Sequence, residues 1–244
     1  MRKFRLETCF SPAAYPKYAD SENIVVIVDV LRATSAICTA FEHGVKRIIP
    51  VSSVDEARKK KDEGYMVASE RDGKVLDFAD FGNSPFNFTK ERVYGKEIVY
   101  STTNGTRCIK MSCDSKAVVV GSYLNLSSLS NWLISQKSPV LILCSSWKDR
   151  FSLEDAVFAG ALAERLLSSD VYESICDSVT ASLDLWSIAK PNVYKYIQKA
   201  AQRSRLALNG LDDCIEFCHQ SEYSSIIPIY KDGCLIPLIP DKER

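Results

Sequence analysis

The chain has 244 residues, and its 31 Lys and Arg balance 31 Asp and Glu, so the formal net charge is zero. A neutral chain lacks the basic excess of a non-specific nucleic-acid binder. Its 46% hydrophobic and 25% charged residues are the composition of a folded globule, not of a disordered tail.

At about 150 residues per domain, one large α/β domain, or one with a smaller appendage, is expected. The apolar runs 24–28, 118–120 and 140–143 are strand-length, well below the ~20 residues of a membrane helix. The basic start Met1-Arg2-Lys3 has no apolar stretch or cleavage site after it, so no signal peptide is expected. Nine scattered Cys without a CxxC pair suggest reduced thiols and a cytoplasmic protein. Cys214, Cys218 and His219 are a candidate metal set, but they lack a second ligand pair.

In chain order, residues 24–29 form an apolar run ending in Asp29, the pattern of a strand buried on both faces. Helical spacing follows over 32–43, with Ile37, Ala40 and Phe41 on one face and Gly44 as the stop. Residues 47–51 are a second strand. Ser53, with Glu56 three residues on, caps a helix over 54–63 that Gly64 ends. Residues 65–68 are a third strand. The stretch 69–95 is irregular, and loops of that length are commonly functional. Its Phe78, Phe81, Phe86 and Phe88 argue for order and for a lid over a site. Strands over 97–100, 116–121 and 140–144 then alternate with helices over 105–111, 126–135 and 153–167.

Beyond Asp170 the pattern is helical without strand, over 172–190, 193–203 and 211–219. Two short strands, 226–230 and 234–238, flank the turn Lys231-Asp232-Gly233. The expected fold class is α/β, a mainly parallel sheet with helices on both faces and a helical C-terminal region. Residues 1–170 would form the α/β domain with the active-site rim, and 171–244 would pack on it. A homodimer is the expected assembly, because symmetric dimers are the commonest. No nucleic-acid or membrane partner is expected.

Ligands of open α/β sheets bind beyond the C-terminal ends of the strands. Those ends carry Asp29 and Arg32, Glu70 and Arg71, the run Ser101–Thr106, Ser122, and the turn Cys144–Asp149 ahead of Glu154 and Asp155. In Ser101–Thr106 a strand ends in hydroxyls, turns through Asn104-Gly105 and starts a helix, so its backbone N–H groups favour an anion. A turn and N-cap without ligand is the plainer reading. Asp29 suits a Mg²⁺ ligand or a nucleophile, or a helix cap. Arg32 suits a phosphate clamp, or a surface helix. Glu154 and Asp155 suit a hard cation, or the dipole of their own helix.

Several chemistries lack their residues. The two histidines, His43 and His219, lie at helix ends and suit structural roles. No Gly-x-Ser-x-Gly elbow, P-loop or Rossmann glycine pattern is present. Asp29-Val30-Leu31 lacks the second aspartate of a HAD-type phosphatase. Cys144 sits at a strand end where a helix could activate it, although a buried strand cysteine is the simpler reading.

Taken together, Val28-Asp29-Val30-Leu31-Arg32-Ala33-Thr34-Ser35, Ser69-Glu70-Arg71, Phe81-Gly82-Asn83-Ser84-Pro85, Thr102-Thr103-Asn104-Gly105-Thr106, Gly121-Ser122 with Asn125, Glu154-Asp155 with Ala159-Gly160, and Ser204-Arg205 resemble the 2-phosphosulfolactate phosphatase family. The pieces fall in order over about 25–235, and the ordered set is specific where single pieces are not. Ser35, where Thr is frequent, and Phe158 depart from the pattern. The resemblance implies a Mg²⁺-dependent phosphatase that converts 2-phospho-3-sulfolactate to 3-sulfolactate and phosphate, a step of coenzyme M biosynthesis in methanogens.

From the chemistry of the side chains themselves, Mg²⁺ is expected on Asp29, Glu154 and Asp155. Arg32 and Arg71 would offset anionic charge, with Glu70 as an orienter. Asn83, Thr102, Thr103, Asn104, Gly105, Thr106 and Ser122 would surround the phosphate and substrate. Two other readings compete: a cysteine hydrolase of the isochorismatase type using Asp29, a lysine and Cys144, and a non-catalytic module that binds a phosphometabolite.

Overall fold

The strand predicted at 24–29 is the centre of the molecule. In the computed structural model, which describes residues 3–71, 73–102 and 104–240, it runs over Ile24–Val28, and all five residues are buried. Ile24, Val26 and Val28 face one core while Val25 and Ile27 face another. Side chains alternate across a strand, so a run apolar at every position must be covered on both sides.

The first half of the chain gives β1 (Phe4–Cys9), β2 (Ile24–Val28), α1 (Ala33–Glu42), β3 (Arg47–Pro50), α2 (Val54–Asp62), β4 (Met66–Arg71), β5 (Lys74–Val75), α3 (Lys90–Val93), β6 (Glu97–Ser101) and α4 (Gly105–Met111). The second gives β7 (Ala117–Gly121), α5 (Leu126–Gln136), β8 (Val140–Cys144), α6 (Leu153–Leu167), β9 (Tyr172–Glu173), α7 (Asp177–Ala189), α8 (Val193–Ile197), α9 (Ala201–Leu208), α10 (Ile215–Cys218), β10 (Ile227–Lys231) and β11 (Cys234–Leu238). The protein is therefore α/β with a mostly parallel sheet, as expected. Ser53 caps α2 by accepting from the Glu56 N–H at 3.0 Å.

The sheet order is β5-β4-β6-β3-β11-β10-β7-β2-β8-β1-β9. It consists of two parallel blocks, β4-β6-β3 and β7-β2-β8-β1-β9. The C-terminal hairpin β10-β11 joins them and pairs antiparallel with β7 and with β3. That hairpin is a seam. Pro228 stands opposite Pro237, and neither has an N–H to give a neighbouring strand. The register with β7 covers only Ile229 and Tyr230, and with β3 only Leu235.

Four readings need correction. Residues 4–9 form a strand, with Leu6 and Thr8 buried between half-buried or exposed Arg5 and Glu7. The span 172–190 is not one helix. Tyr172 pairs beside Phe4, and its hydroxyl donates to the Leu133 carbonyl at 2.7 Å, so strand β9 precedes α7. Residues 193–203 hold two helices, divided at Ala200, and the second runs on to Leu208. The four phenylalanines of 69–95 are ordered but form no lid. Phe81 and Phe88 pack edge to face in the core, Phe78 lies under Arg58, and Phe86 packs on Phe217. Both histidines are structural. His43 Nε2 lies 2.9 Å from the Tyr223 hydroxyl, and buried His219 bonds the Ile215 carbonyl through Nδ1 at 2.7 Å.

α6 and α7 meet at Gly160. A Cβ there would lie 2.0 Å from the Ser182 carbonyl oxygen and 2.6 Å from its carbon, both backbone atoms that cannot swing aside. Gly160→Ala is expected to destabilise the fold by about 1–3 kcal/mol, because α7 must retreat from α6. Urea denaturation measures this, and an unchanged midpoint would show that the helices do not approach so closely.

Candidate active site

The ends of β2, β4, β6 and β8 reach one cavity of about 300 Å³. It is lined by Asp29 and Arg32 after β2, Glu70 in β4, Thr102 and Asn104 after β6, Ser146 after β8, and Glu154 and Asp155 in the first turn of α6. A cavity of this size suits a small ligand.

The carboxylates are placed by backbone. Asp29 accepts from the Ala33 N–H at the start of α1. Asp155 Oδ1 accepts from the Val30 N–H at 2.9 Å, which ties α6 to the end of β2. The Ser152 hydroxyl lies beside Glu154 and Asp155, and its one proton favours the charged form of whichever accepts it. Each acid thus meets a positive helix N-terminus. The acids also meet one another. Burial, then the charge of Glu154, pushes the Asp29 carboxyl up to about 7. Burial with the charges of Glu154 and Asp29 holds Asp155 well above the usual carboxylate range, and burial raises Glu154.

Arg32 is 2% exposed and lies 2.7 Å from Glu70 Oε2 through Nη2. The Asn83 N–H points at the same oxygen at 3.4 Å, and Arg32 Nη1 reaches the Leu211 carbonyl at 3.4 Å. Glu70 therefore fixes the guanidinium at the cavity wall.

The structure brings together Asp29, Arg32, Glu70, Asn83, Thr102, Asn104, Glu154 and Asp155, all predicted from sequence. Thr103 lies outside the described residues. Four predicted residues do not line the cavity. Arg71 donates to the Ser101 carbonyl and hydroxyl at 3.1 and 2.9 Å, so its guanidinium locks β4 to β6. Thr106 donates its hydroxyl to the Thr102 carbonyl at 2.8 Å. Ser122 is buried at the end of β7. Gly105 sits behind Asp29: a Cβ there would lie 3.5 Å from Asp29 Oδ2, so its backbone supports the acid instead of facing a ligand.

Sequence reasoning missed the opposite wall, where Gln202, Arg205, Leu206 and Asn209 of α9 and its end meet Trp147. Their spacing of three or four residues is one helix face, but no strand end marks it. Asp29, Glu154 and Asp155 are oxygen donors, as Mg²⁺ requires. Among the described residues no group of three or more Asp, Glu, His or Cys side chains is arranged to hold a metal ion. Mg²⁺ needs none, since it takes one or two carboxylates and fills its shell with waters and substrate phosphate. Thr102 Oγ1, Asn83 Oδ1 and Ser146 Oγ are buried without hydrogen-bond partners at this cavity. Unpartnered polar atoms beside mutually repelling carboxylates fit a site built for a cation and its anionic ligand.

The cysteine alternative fails here. Cys144 is fully buried and does not line the cavity, and burial with the nearby Asp155 charge pushes its thiol well above the ordinary range. A thiol so disfavoured as thiolate is a poor nucleophile. Cys214 and Cys218 are buried too, and they form no metal cluster with His219.

Carboxyl repulsion has a consequence for stability. The folded state keeps a proton on Asp29 up to about pH 7, whereas the unfolded chain releases it near 3.8. The folded state then binds more protons across that window, so stability falls as pH rises through it. With EDTA present, Asp29→Asn is expected to unfold at higher urea than the parent by about 1 kcal/mol or more at pH 8, and the gain should vanish by about pH 4. Equal stabilities at pH 8 would mean that the three acids do not repel.

The chain matches the family described as 2-phosphosulpholactate phosphatase over residues 9–233. A probable 2-phosphosulfolactate phosphatase of Caldanaerobacter subterraneus subsp. tengcongensis is 35% identical over 216 residues, which cover 87% of this chain and 89% of that protein. Proteins of the same name from Thermotoga petrophila and Thermotoga maritima are each 35% identical over 212 residues, covering 86% of this chain and 90% of theirs. The chain belongs to the 2-phosphosulfolactate phosphatase family and is a phosphoric monoester hydrolase.

Proposed function

We propose that the protein is a Mg²⁺-dependent phosphatase of a small, multiply anionic phosphoester, 2-phospho-3-sulfolactate foremost, releasing 3-sulfolactate and phosphate. The observation that carries this reading is the meeting of Asp29, Glu154 and Asp155 with Arg32 in one cavity of about 300 Å³. The names of the relatives support the substrate.

Phosphoryl transfer needs charge on the equatorial oxygens neutralised and the nucleophile aimed. Held by one or two of Asp29, Glu154 and Asp155, Mg²⁺ would supply Lewis acidity to the phosphoryl group. Arg32, held by Glu70, supplies two N–H donors in a plane that matches two phosphoryl oxygens. The hydroxyl of Thr102 and the amides of Asn83 and Asn104 complete the polar lining. A carboxylate of the set takes the proton of the attacking water as the new O–P bond forms. The ester P–O bond breaks, and the leaving alkoxide takes that proton back from the carboxylic acid to become the alcohol.

A panel of phosphoesters that includes phosphosulfolactate and phospholactate, assayed with Mg²⁺ and with EDTA, tests the reading. Turnover that EDTA abolishes and Mg²⁺ restores is expected. Turnover indifferent to EDTA overturns the metal assignment. Asp29→Asn is expected to lose at least about a hundredfold in kcat, and survival within about tenfold, 1.4 kcal/mol of barrier, removes Asp29 from the chemistry. Arg32→Ala should show a large loss of kcat/KM on the trianionic ester, and an unchanged value would take Arg32 out of the site.

A further inference from the structure

The cavity holds a second cation that the phosphoryl chemistry above does not use. Arg205 projects from α9, its guanidinium 4.2 Å from the centre of the Trp147 ring. Its Nε donates to Gln202 Oε1 at 2.8 Å, and Gln202 Nε2 donates to the Leu31 carbonyl at 3.0 Å. The fork is thus oriented twice, by its stacked plane and by its inner nitrogen. Among the described residues no carboxylate lies within ion-pair distance of it. Glu154 is near enough to be felt electrostatically, but it is not a partner.

The platform is itself fixed. Ser146, Lys148 and Asp149 have positive φ angles of 57°, 53° and 60°, so the turn holds Trp147 in a tight reversal. Arg107 pairs with Asp149 at 3.0 Å, and Ser11 donates to the Asp149 carbonyl at 3.0 Å, anchoring that turn to α4 and to the end of β1. A pre-oriented arginine loses less freedom on binding than a free one.

The two arginines differ in what they leave available. Arg32 is already neutralised by Glu70 at 2.7 Å. Arg205 lines the cavity, and among the described residues no acid is bonded to its two outer nitrogens. We propose that Arg205, stacked on Trp147 and held by Gln202, is the subsite for the non-reacting acid group of the substrate, a carboxylate or sulfonate, and so sets selectivity for esters that carry a second anion. This rests on the phosphatase reading and adds to it which residues read the leaving group.

The test compares kcat/KM for phospholactate or phosphosulfolactate with kcat/KM for glycerol phosphate, whose alcohol is uncharged. Arg205→Met, which keeps the apolar stem over Trp147, is expected to lower the acidic-to-neutral ratio by about thirtyfold, the worth of a charge-assisted pair. Arg205→Lys should recover part of the ratio, and it decides the matter if the methionine variant does not fold. A ratio that stays at the parent value in a folded variant overturns the proposal. Calorimetry separates this from the phosphatase reading. If the parent turns over no phosphoester, that reading fails, while the subsite stands or falls on whether Arg205→Met weakens binding of 3-sulfolactate relative to inorganic phosphate.

Discussion

Three acids of one sign, gathered around one cavity, are the constraint on which the rest of the fold depends. Glu154 and Asp155 are buried and Asp29 is half-buried, and the charge of Glu154 raises the cost of charging both aspartates. Left to electrostatics, the end of β2 and the start of α6 would separate. Backbone donors prevent it: the Ala33 N–H holds Asp29, and the Val30 N–H holds Asp155 at 2.9 Å. Behind them stand the apolar ladder of β2 with β7 and β8 and the close contact of α6 with α7 at Gly160. The stable parts of the molecule hold an unstable part in place, the usual sign that the strain serves function.

The sheet is assembled to the same end. Neither parallel block alone holds the whole site. The β2–β8 block brings Asp29, Glu154 and Asp155, and the β4–β6 block brings Glu70 and Thr102. The Arg32–Glu70 pair crosses from one to the other at 2.7 Å, and the hairpin β10-β11 spans the gap within the sheet. Its paired prolines limit hydrogen bonding there, so burial of Ile227 and Leu235 does much of the joining. A buried ion pair across a seam is poor as a source of stability but good at fixing a register. Here it fixes a cation against the phosphate-binding wall.

Much of this was legible in residues 24–167, because each strand there is apolar at nearly every position and each helix has its own cap or stop. The site acids were legible because a carboxylate at the end of a buried strand has few structural reasons to be there. Three things were hidden. The alternation of Phe4, Leu6 and Thr8 with Arg5 and Glu7 is a strand signal, but it falls within a basic start that suggests other readings. The hairpin at 227–238 is visible as a hairpin, yet nothing local states that it enters the middle of a sheet rather than an edge. Arg71 and Thr106 have the right chemistry in the right motif, but Arg71 donates to the carbonyl and hydroxyl of Ser101 and Thr106 to the Thr102 carbonyl, contacts that no sequence pattern marks. Arg205 was hidden for the opposite reason: on a polar helix an arginine is ordinary until Trp147, about sixty residues earlier in the chain, is placed beneath it.

That last pairing separates two kinds of work along the chain. In the proposed reaction the reacting end of the substrate would meet strand ends and helix starts, where a shift of half an ångström would spoil charge stabilisation. The other end would meet one face of α9 and one turn, elements outside the sheet. Among the described residues α9 is tied to the end of β2 by the Gln202 hydrogen bond to the Leu31 carbonyl, so substitutions on its cavity face bear first on the proposed leaving-group subsite. The chemistry is tied to the sheet and cannot drift, whereas recognition of the leaving group is carried by a peripheral helix that can.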